Sequence, residues 1–312
     1  MLLGSDRYIR SLTHQSKTAA SHPLLPFKLG GTLAIDMLDP FVERLIPRLA
    51  GVPGVAAIVL GGSRARGTAA ASSDYDLGLY YGPTQLDTDR LLEVVRDLVD
   101  IPDEAAVTRV GDWGKWIVGG GWLSVDGRKV DLLYRSGEAV AQVIRACRTG
   151  HVTMDYQSGH PHGFCSAIWM GEVAHCQPIH DPQRIIAELK AMTSPYPEQM
   201  RKATIRRFQW EIMFSIENGE IAVARGEQTH IAGCAYRALC CIGQVLFALN
   251  RRYLINEKGA LEEVSRFPLT ISDLPDRVAG VWRAIGRSEF GAAFAKLRSC
   301  EGELKAMTAT QE

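Results

Sequence analysis

The chain has 312 residues, of which 46% are hydrophobic and 22% are charged, so we expect a globular protein of about two domains. Lys+Arg and Asp+Glu are equal at 35 each, which disfavours nucleic acid as a partner without excluding it. The N-terminus has no apolar core of the kind that a signal peptide requires. The seven cysteines form no C-x-x-C pair, which is typical of reduced thiols. Arg237 and Gln244 interrupt the longest apolar run, which disfavours a transmembrane helix. We therefore expect a cytoplasmic protein that does not span a membrane.

Helix and strand signals alternate through the first half of the chain. Apolar residues at helical spacing predict helices, and short branched runs bounded by glycine or proline predict strands. Asp126-Gly127 predicts a two-residue hairpin turn. The predicted elements are helix 35–49, strand 55–60, a short helix after Gly62, strand 74–81, helix 88–99, strands 116–118 and 122–125, and strand 129–134.

The second half contains only helix signals of comparable strength. Helices are predicted at 183–192, 198–225 and 230–250, with more helix between 274 and 307. We place a domain boundary near Asp181-Pro182 and predict three parts: an appendage at 1–30, a mixed-sheet domain at 31–182, and an all-α helical bundle at 183–312. The predicted fold class is α+β.

Three acidic residues predict a metal site. Asp74 and Asp76 are two apart in a predicted strand, so their side chains share one face and repel each other unless a cation lies between them. Mg²⁺ suits this position because it binds carboxylates together with substrate phosphates. Asp131 lies on a later strand, and if that strand is adjacent, three carboxylates converge, which suffices for two ions.

A glycine turn upstream predicts a phosphate site. Gly61-Gly62-Ser63 joins a strand to a helix, where backbone N–H groups and the positive end of the helix dipole face an anion. The Ser63 hydroxyl and the Arg66 guanidinium add donors for a triphosphate. A Walker A interpretation fails because Thr68 stands where that motif requires lysine.

The order of these features resembles the DNA polymerase β-like nucleotidyltransferase superfamily. The matching segments are Leu60-Gly-Gly-Ser63 and Ser73-Asp74-Tyr75-Asp76, followed by Asp131, within roughly residues 55 to 135. The resemblance implies that Asp74, Asp76 and Asp131 bind metal and that Gly62 and Ser63 contact phosphate. Arg66 matches an arginine that touches phosphate in aminoglycoside-modifying members. The C-terminal half looks similar to the helical domains of the small-molecule (aminoglycoside- or lincosamide-type) branch.

The resemblance predicts an enzyme that binds a nucleoside triphosphate such as ATP with Mg²⁺ and transfers the nucleoside monophosphate to a hydroxyl group. A small molecule is the leading acceptor, with a protein side chain or tRNA as the alternative. Glu211, Glu217 or Asp131 is the candidate general base. The other hypothesis is a nucleotide-binding sensor without catalytic activity. The sequence predicts neither the acceptor nor the oligomeric state.

Three further groups of residues have a structural and a functional interpretation. The tryptophans Trp113, Trp116 and Trp122 are expected in the core, with stacking on a base or sugar as the alternative. The spacing within 160–180 matches no standard zinc pair, and we interpret its cysteines as buried thiols. The basic positions 201, 202, 206 and 207 are expected on a solvated helix face.

Overall fold

A computed structural model describes residues 39–310. The strands are β1 (Val55–Leu60), β2 (Tyr75–Tyr81), β3 (Gly120–Val125), β4 (Arg128–Ser136), β5 (Met154–Asp155), β6 (Phe164–Cys165) and β7 (Gln177–His180). The helices are α1 (Pro40–Ala50), α2 (Gly62–Ala65), α3 (Thr88–Arg96), α4 (Gly137–Arg148), α5 (Ile168–His175), α6 (Ile185–Thr193), α7 (Glu198–Val223), α8 (Gln228–Leu249), α9 (Ala260–Val264), α10 (Leu274–Gly286) and α11 (Phe290–Ala309). This mixed-sheet region followed by helices confirms the predicted α+β class.

The main sheet has five strands in the order β3-β4-β2-β1-β7. β2 and β4 are parallel, whereas every other neighbouring pair is antiparallel. The β3–β4 hairpin turns at Asp126 and Gly127, whose φ angles of 51° and 69° are the left-handed values that a type I′ turn requires. β4 therefore lies between β3 and β2, at the centre of the part of the sheet that carries Asp76 and Asp131.

The two faces of this sheet pack against different cores. Leu77, Leu79 and Leu132 point to one face and join a cluster that α1 and α3 cover. Ala57, Val59 and Tyr80 point to the other face and join a larger cluster that continues into the helices after residue 182. Because side chains alternate along a strand, Asp76 and Asp131 lie on this second face, next to the helical part of the protein.

Local signals set the ends of the first helices. The Asp39 carboxylate accepts a hydrogen bond from Phe41 N at 2.9 Å, and Pro40 opens α1. Asp87 caps α3 in the same way through Arg90 N at 2.9 Å. α1 therefore begins later than the predicted helix at 35–49, whose first residues lie outside the described part of the chain.

One helix within residues 39–310, α8, is long and apolar enough by length and composition to cross a membrane. However, 67% of its most apolar stretch is buried inside the protein, as in the core helix of a bundle. Arg237, which interrupts this stretch, pairs with Glu211 of α7 at 2.7 Å. The prediction of a bundle helix agrees with this burial.

The structure corrects several predicted elements. Residues 116–118 are not a strand, because Trp116 leaves the sheet to pack on Phe164. The helix signal between 274 and 307 corresponds to α10 and α11, as predicted, whereas α4, α5 and β7 were not predicted. Arg201 is only 4% exposed, so the expected solvated face is wrong at that position, although Lys202, Arg206 and Arg207 are exposed.

The predicted domain boundaries at 30 and 182 remain predictions. The appendage at 1–30 lies outside the described residues, and residues 39–310 form part of one compact unit. The secondary structure does change where the second boundary was placed, because β7 ends at His180 and only helices follow in residues 181–310.

Candidate active site

Asp76 and Asp131 lie directly beside each other in the sheet. The parallel register of β2 and β4 pairs Asp76 with Asp131, and paired residues of neighbouring strands point to the same face. Neighbouring strands are about 4.8 Å apart, so the two carboxylates share one small area of surface. Asp74 lies one residue before β2, rather than within the strand as predicted, and its charge still acts on both other carboxyl groups.

The glycine turn after β1 lies against Asp76. Gly61 N donates a hydrogen bond to Asp76 O at 2.8 Å, which fixes the turn to β2. Gly62 has a φ of +60°, and a Cβ atom there would overlap Asp76 Oδ2 and lie 2.7 Å from Asp76 Cγ. Residue 62 therefore requires glycine for two reasons: its backbone conformation is left-handed, and there is no room for a side chain.

The electrostatic environment opposes ionisation of both paired carboxyl groups. Burial, followed by the charges of Glu172 and Asp74, raises the pKa of Asp76 to about 6. Burial, followed by the charges of Asp76 and Asp74, raises the pKa of Asp131 to about 7. Both groups therefore carry an electrostatic cost at neutral pH that a bound cation would relieve.

The donor set of these carboxylates fits a hard divalent cation. Within residues 39–310, the side chains of Asp74, Asp76 and Asp131 form no hydrogen bond or ion pair, so their oxygens are free to act as ligands. However, no group of three or more His, Cys, Asp or Glu side chains in these residues is placed so that it could hold a metal ion. The structure thus brings Asp76 and Asp131 together, but it does not show the predicted convergence of all three carboxylates. An ion bound at this pair would share its ligands with a substrate phosphate.

The two arginines of the turn differ in role. Arg64 donates to Ser73 O at 2.6 Å and to Asp74 O at 3.2 Å, and its guanidinium lies 3.7 Å from the centre of the Tyr75 ring. Arg66 is exposed, its Nε donates to Gly62 O at 3.4 Å, and its charge favours the ionised form of Asp76. Arg64 thus holds the turn, whereas Arg66 remains available to an anion. Ser63, in the first turn of α2, lies next to Gly62.

Three charged residues around this site were missed in the sequence. Arg135 is buried on β4 with Nη1 unpartnered, and its Nη2 lies 3.5 Å from Glu172 Oε2. Glu172, on α5, is the strongest charge raising the pKa of Asp76, and Lys258 acts on Asp131 with the opposite sign. Arg135 follows Asp131 on the same strand at an even spacing, so the alternation of side chains along the strand puts both on one face. Glu172 is the single acidic residue in an apolar helix. Both residues could therefore have been recognised in the sequence as candidates for the site.

The candidate bases on α7 have other partners. Glu211 Oε2 accepts a hydrogen bond from Arg237 Nη2 at 2.7 Å. The Glu211 side chain also lines an open depression on α7, together with Arg206, Arg207 and Trp210. Glu217 is exposed, and its charge acts on Arg298. The carboxyl groups that act on Asp131 are Asp76 and Asp74, so neither Glu211 nor Glu217 is among them.

The tryptophans and cysteines divide between the core and the surface. Trp116 is buried and stacks on Phe164, as expected for a core residue, whereas Trp122 is exposed and stacks on Trp113. Cys165 and Cys176 are buried, which confirms the interpretation of buried thiols.

Comparison with known proteins assigns the sheet region to a class. Residues 42–142 match the family described as a nucleotidyltransferase domain, and this match covers the glycine turn and all three aspartates. Residues 169–258 match a family described as a domain of unknown function (DUF4037), which begins at α5 and includes Glu172 and Lys258. Residues 42–142 are thus similar to a nucleotidyltransferase domain, which supports the predicted superfamily.

One solved structure can be compared over most of the chain. It is the crystal structure of a nucleotidyltransferase-like protein from Exiguobacterium sibiricum, with a TM-score of 0.41 and 12% sequence identity over 85% of this chain and 73% of that one. No curated protein matches the chain.

Proposed function

We propose that this protein is a Mg²⁺-dependent nucleotidyltransferase that moves a nucleoside monophosphate from a triphosphate to a hydroxyl group of a small molecule and releases pyrophosphate. One observation carries the proposal: Asp76 and Asp131 are register partners that form no salt bridge with any of residues 39–310, and they lie beside a glycine turn whose backbone faces the same spot. The family match of residues 42–142 supports nucleotidyl transfer in general.

The glycine turn is the proposed site of the triphosphate tail. Gly62 lacks a side chain, so a phosphate can approach the backbone next to Asp76. Ser63 adds a hydroxyl group, and the exposed Arg66 adds a cation near Asp76. These groups hold the β- and γ-phosphates, which keeps the leaving pyrophosphate at this end of the site.

The three aspartates are the proposed ligands for Mg²⁺, and we propose two ions whose coordination is completed by substrate phosphate oxygens. When bound, the ions neutralise charge on the phosphates and on the attacking and leaving oxygens. The protein supplies the fixed arrangement of the carboxylates, because Asp76 and Asp131 are held by the register of two sheet strands. Positioning of this kind accounts for much of the rate enhancement in phosphoryl transfer.

Asp131 is the proposed general base. Of the three candidates, it is the one that lies in the acidic row of the sheet, as the register partner of Asp76. The acceptor hydroxyl gives its proton to an Asp131 carboxylate oxygen, the acceptor oxygen forms a bond to the α-phosphorus, and the bond from the α-phosphorus to the bridging oxygen of pyrophosphate breaks.

The choice of a small-molecule acceptor is part of the proposal. It is supported by the balance of 35 basic and 35 acidic residues, which gives no overall attraction to nucleic acid. We also place the reaction in the cytoplasm, because all seven cysteines are free and five of them are buried.

The test is a screen with Mg²⁺, each of the four labelled triphosphates and a library of hydroxylated compounds, read by pyrophosphate release and by the mass added to the acceptor. We expect Asp76→Asn and Asp131→Asn each to lower the rate by about a thousandfold or more, since removal of one member of such a constellation typically costs this much. Asp89→Asn, an exposed carboxylate on α3, is the matched control and should keep full activity. Tight triphosphate binding without turnover on any acceptor would instead indicate a sensor.

A further inference from the structure

Trp122 lies in the same row of the sheet as the paired aspartates. The antiparallel register of β3 and β4 sets Trp122 directly opposite Asp131, which is itself opposite Asp76. Residues directly opposite each other point to one face, with Cβ atoms about 4.5–5.5 Å apart. The row therefore runs from Asp76 through Asp131 to Trp122 on the outermost strand of the sheet.

The indole of Trp122 is both exposed and held in place. It is 68% exposed, an unusual state for so large an apolar side chain, and it lies beside a half-buried acidic pair. Trp113 stacks on it, with 4.6 Å between ring centroids and 24° between the planes. A Cβ atom on Gly120 would lie 2.9 Å from Trp113 Cζ3, so the missing side chain at residue 120 makes room for the supporting ring. The two indoles form a platform whose outer surface is free of contacts with other rings in residues 39–310.

The position of this platform along the row indicates which substrate it serves. The glycine turn adjoins Asp76 at one end of the row, and the platform adjoins Asp131 at the other. In an in-line displacement the entering and leaving oxygens lie on opposite sides of the phosphorus. With the leaving pyrophosphate beside Gly62, the entering hydroxyl approaches from the side of Trp122.

We propose that Trp122, supported by Trp113, is the surface on which the acceptor places a ring next to the base Asp131, so that the acceptor is a cyclic, hydroxyl-bearing molecule. Indole faces bind rings that present an apolar face, whether the C–H face of a puckered sugar or the face of a flat aromatic system. This inference rests on the proposed function, because it uses the direction in which pyrophosphate leaves.

The experiment compares ring and open-chain acceptors with the full-length protein and Mg²⁺. Methyl β-glucoside, adenosine and a simple phenol represent sugar and aromatic rings, and sorbitol and glycerol represent open chains. Transfer is followed by added mass, direct binding by saturation-transfer NMR, and binding of an α,β-methylene triphosphate is measured separately. We expect ring compounds to bind and react, and Trp122→Ala to raise their KM or Kd about tenfold or more while triphosphate affinity changes less than twofold.

Two variants serve as controls. Trp210→Ala removes a tryptophan of similar exposure, 63%, on α7 and should leave ring binding unchanged. Trp122→Tyr keeps a flat face and should restore most of the loss. Binding and reaction of methyl β-glucoside would indicate that the platform takes a sugar ring. Binding and reaction of adenosine or the phenol would indicate an aromatic ring.

The possible failures are distinguishable. If Trp122→Ala weakens triphosphate binding about tenfold, the platform holds the nucleobase and the inference is wrong. It is equally wrong if open-chain compounds react as well as rings, or if no ring binds at millimolar concentration. If instead triphosphate binding does not depend on Asp76 and Asp131, it is the proposed function that fails.

Discussion

The Cα atom of Gly62 lies so close to the Asp76 carboxylate that any side chain on residue 62 would overlap Asp76 Oδ2. This contact joins the phosphate end of the proposed site to its acidic centre, and the hydrogen bond from Gly61 N to Asp76 O at 2.8 Å holds the two together. A change in either the turn or the carboxylate should therefore affect triphosphate binding and transfer alike.

Gly62→Ala should abolish activity. The added methyl group would displace the Asp76 carboxylate, and an L residue at a φ of +60° costs about 1–2 kcal/mol in addition. We expect a fall in transfer rate of about a hundredfold or more, measured as pyrophosphate release under saturating triphosphate. Gly67→Ala is the matched control, because its φ is +69° but nothing lies within 4 Å of the new Cβ. If both variants lose activity equally, backbone strain rather than contact with Asp76 explains the requirement.

Arg64→Ala and Arg66→Ala should separate stability from substrate binding. Loss of Arg64 removes two hydrogen bonds to backbone oxygens and the contact with Tyr75, so we expect a decrease of about 1–3 kcal/mol in the free energy of unfolding. Loss of the exposed Arg66 should change stability by less than about 0.5 kcal/mol and raise the KM for triphosphate about tenfold. Urea unfolding and initial rates measure the two effects, and a reversed pattern would contradict these roles.

Asp131→Asn should stabilise the metal-free protein above neutral pH. The folded-state pKa of Asp131 is raised to about 7, so the folded protein holds this proton more tightly than the unfolded chain does. The stability that the proton provides is complete below about pH 4 and is lost as the pH rises through 7. Because Asn cannot ionise, the variant should be more stable by about 1–2 kcal/mol at pH 8, after allowance for partial exposure, and no more stable than wild type at pH 4.

Mg²⁺ with triphosphate should reverse this difference. Ligands that bind only the folded state raise its stability, so wild type should gain more than Asp131→Asn from the same concentrations. Thermal unfolding at pH 8 with and without Mg²⁺ and an α,β-methylene triphosphate measures both effects. An equal gain in the two proteins would show that Asp131 does not take part in binding.

His162→Asn should remove one part of the acid sensitivity of the fold. Burial, followed by the charge of Arg237, lowers the pKa of His162 to about 4, although Glu257 and Glu211 act in the opposite direction. Its Nδ1 lies 2.9 Å from Arg237 Nη1 and accepts from it, so the imidazole is neutral in the folded state. The stability contributed by the neutral ring is present above about pH 6.5 and is lost as the pH falls toward 4.

Asn keeps an acceptor for Arg237 but does not titrate in this range. The difference in unfolding free energy between pH 7 and pH 4.5 should therefore be smaller in the variant by about 2 kcal/mol. Urea unfolding at the two pH values checks this. An unchanged difference would mean that other groups cause the acid sensitivity.

Much of the local structure could be predicted from short-range patterns. The branched run of β1, the turn at Asp126-Gly127 and the long helices α7 and α8 were all predicted to within a few residues. Residues 116–118 were wrongly predicted as a strand because an apolar run with a tryptophan has the same pattern in a strand and in a core loop. Trp116 packs on Phe164, 48 positions further along the chain, and no window of neighbouring residues contains that information.

The amino-acid sequence by itself determined which residues were predicted to bind metal and phosphate, because carboxylates two apart on a strand share one face and a double glycine lets a ligand approach the backbone. Only the tertiary structure decided that Asp131 lies beside Asp76, that Gly62 rests on the Asp76 carboxylate, and that Glu172 and Lys258 face the same site. Strand register depends on packing across the whole sheet, and a shift by one residue would turn Asp131 into the core. The acidic row and the indole beside it exist because that register is set by contacts far apart in the chain.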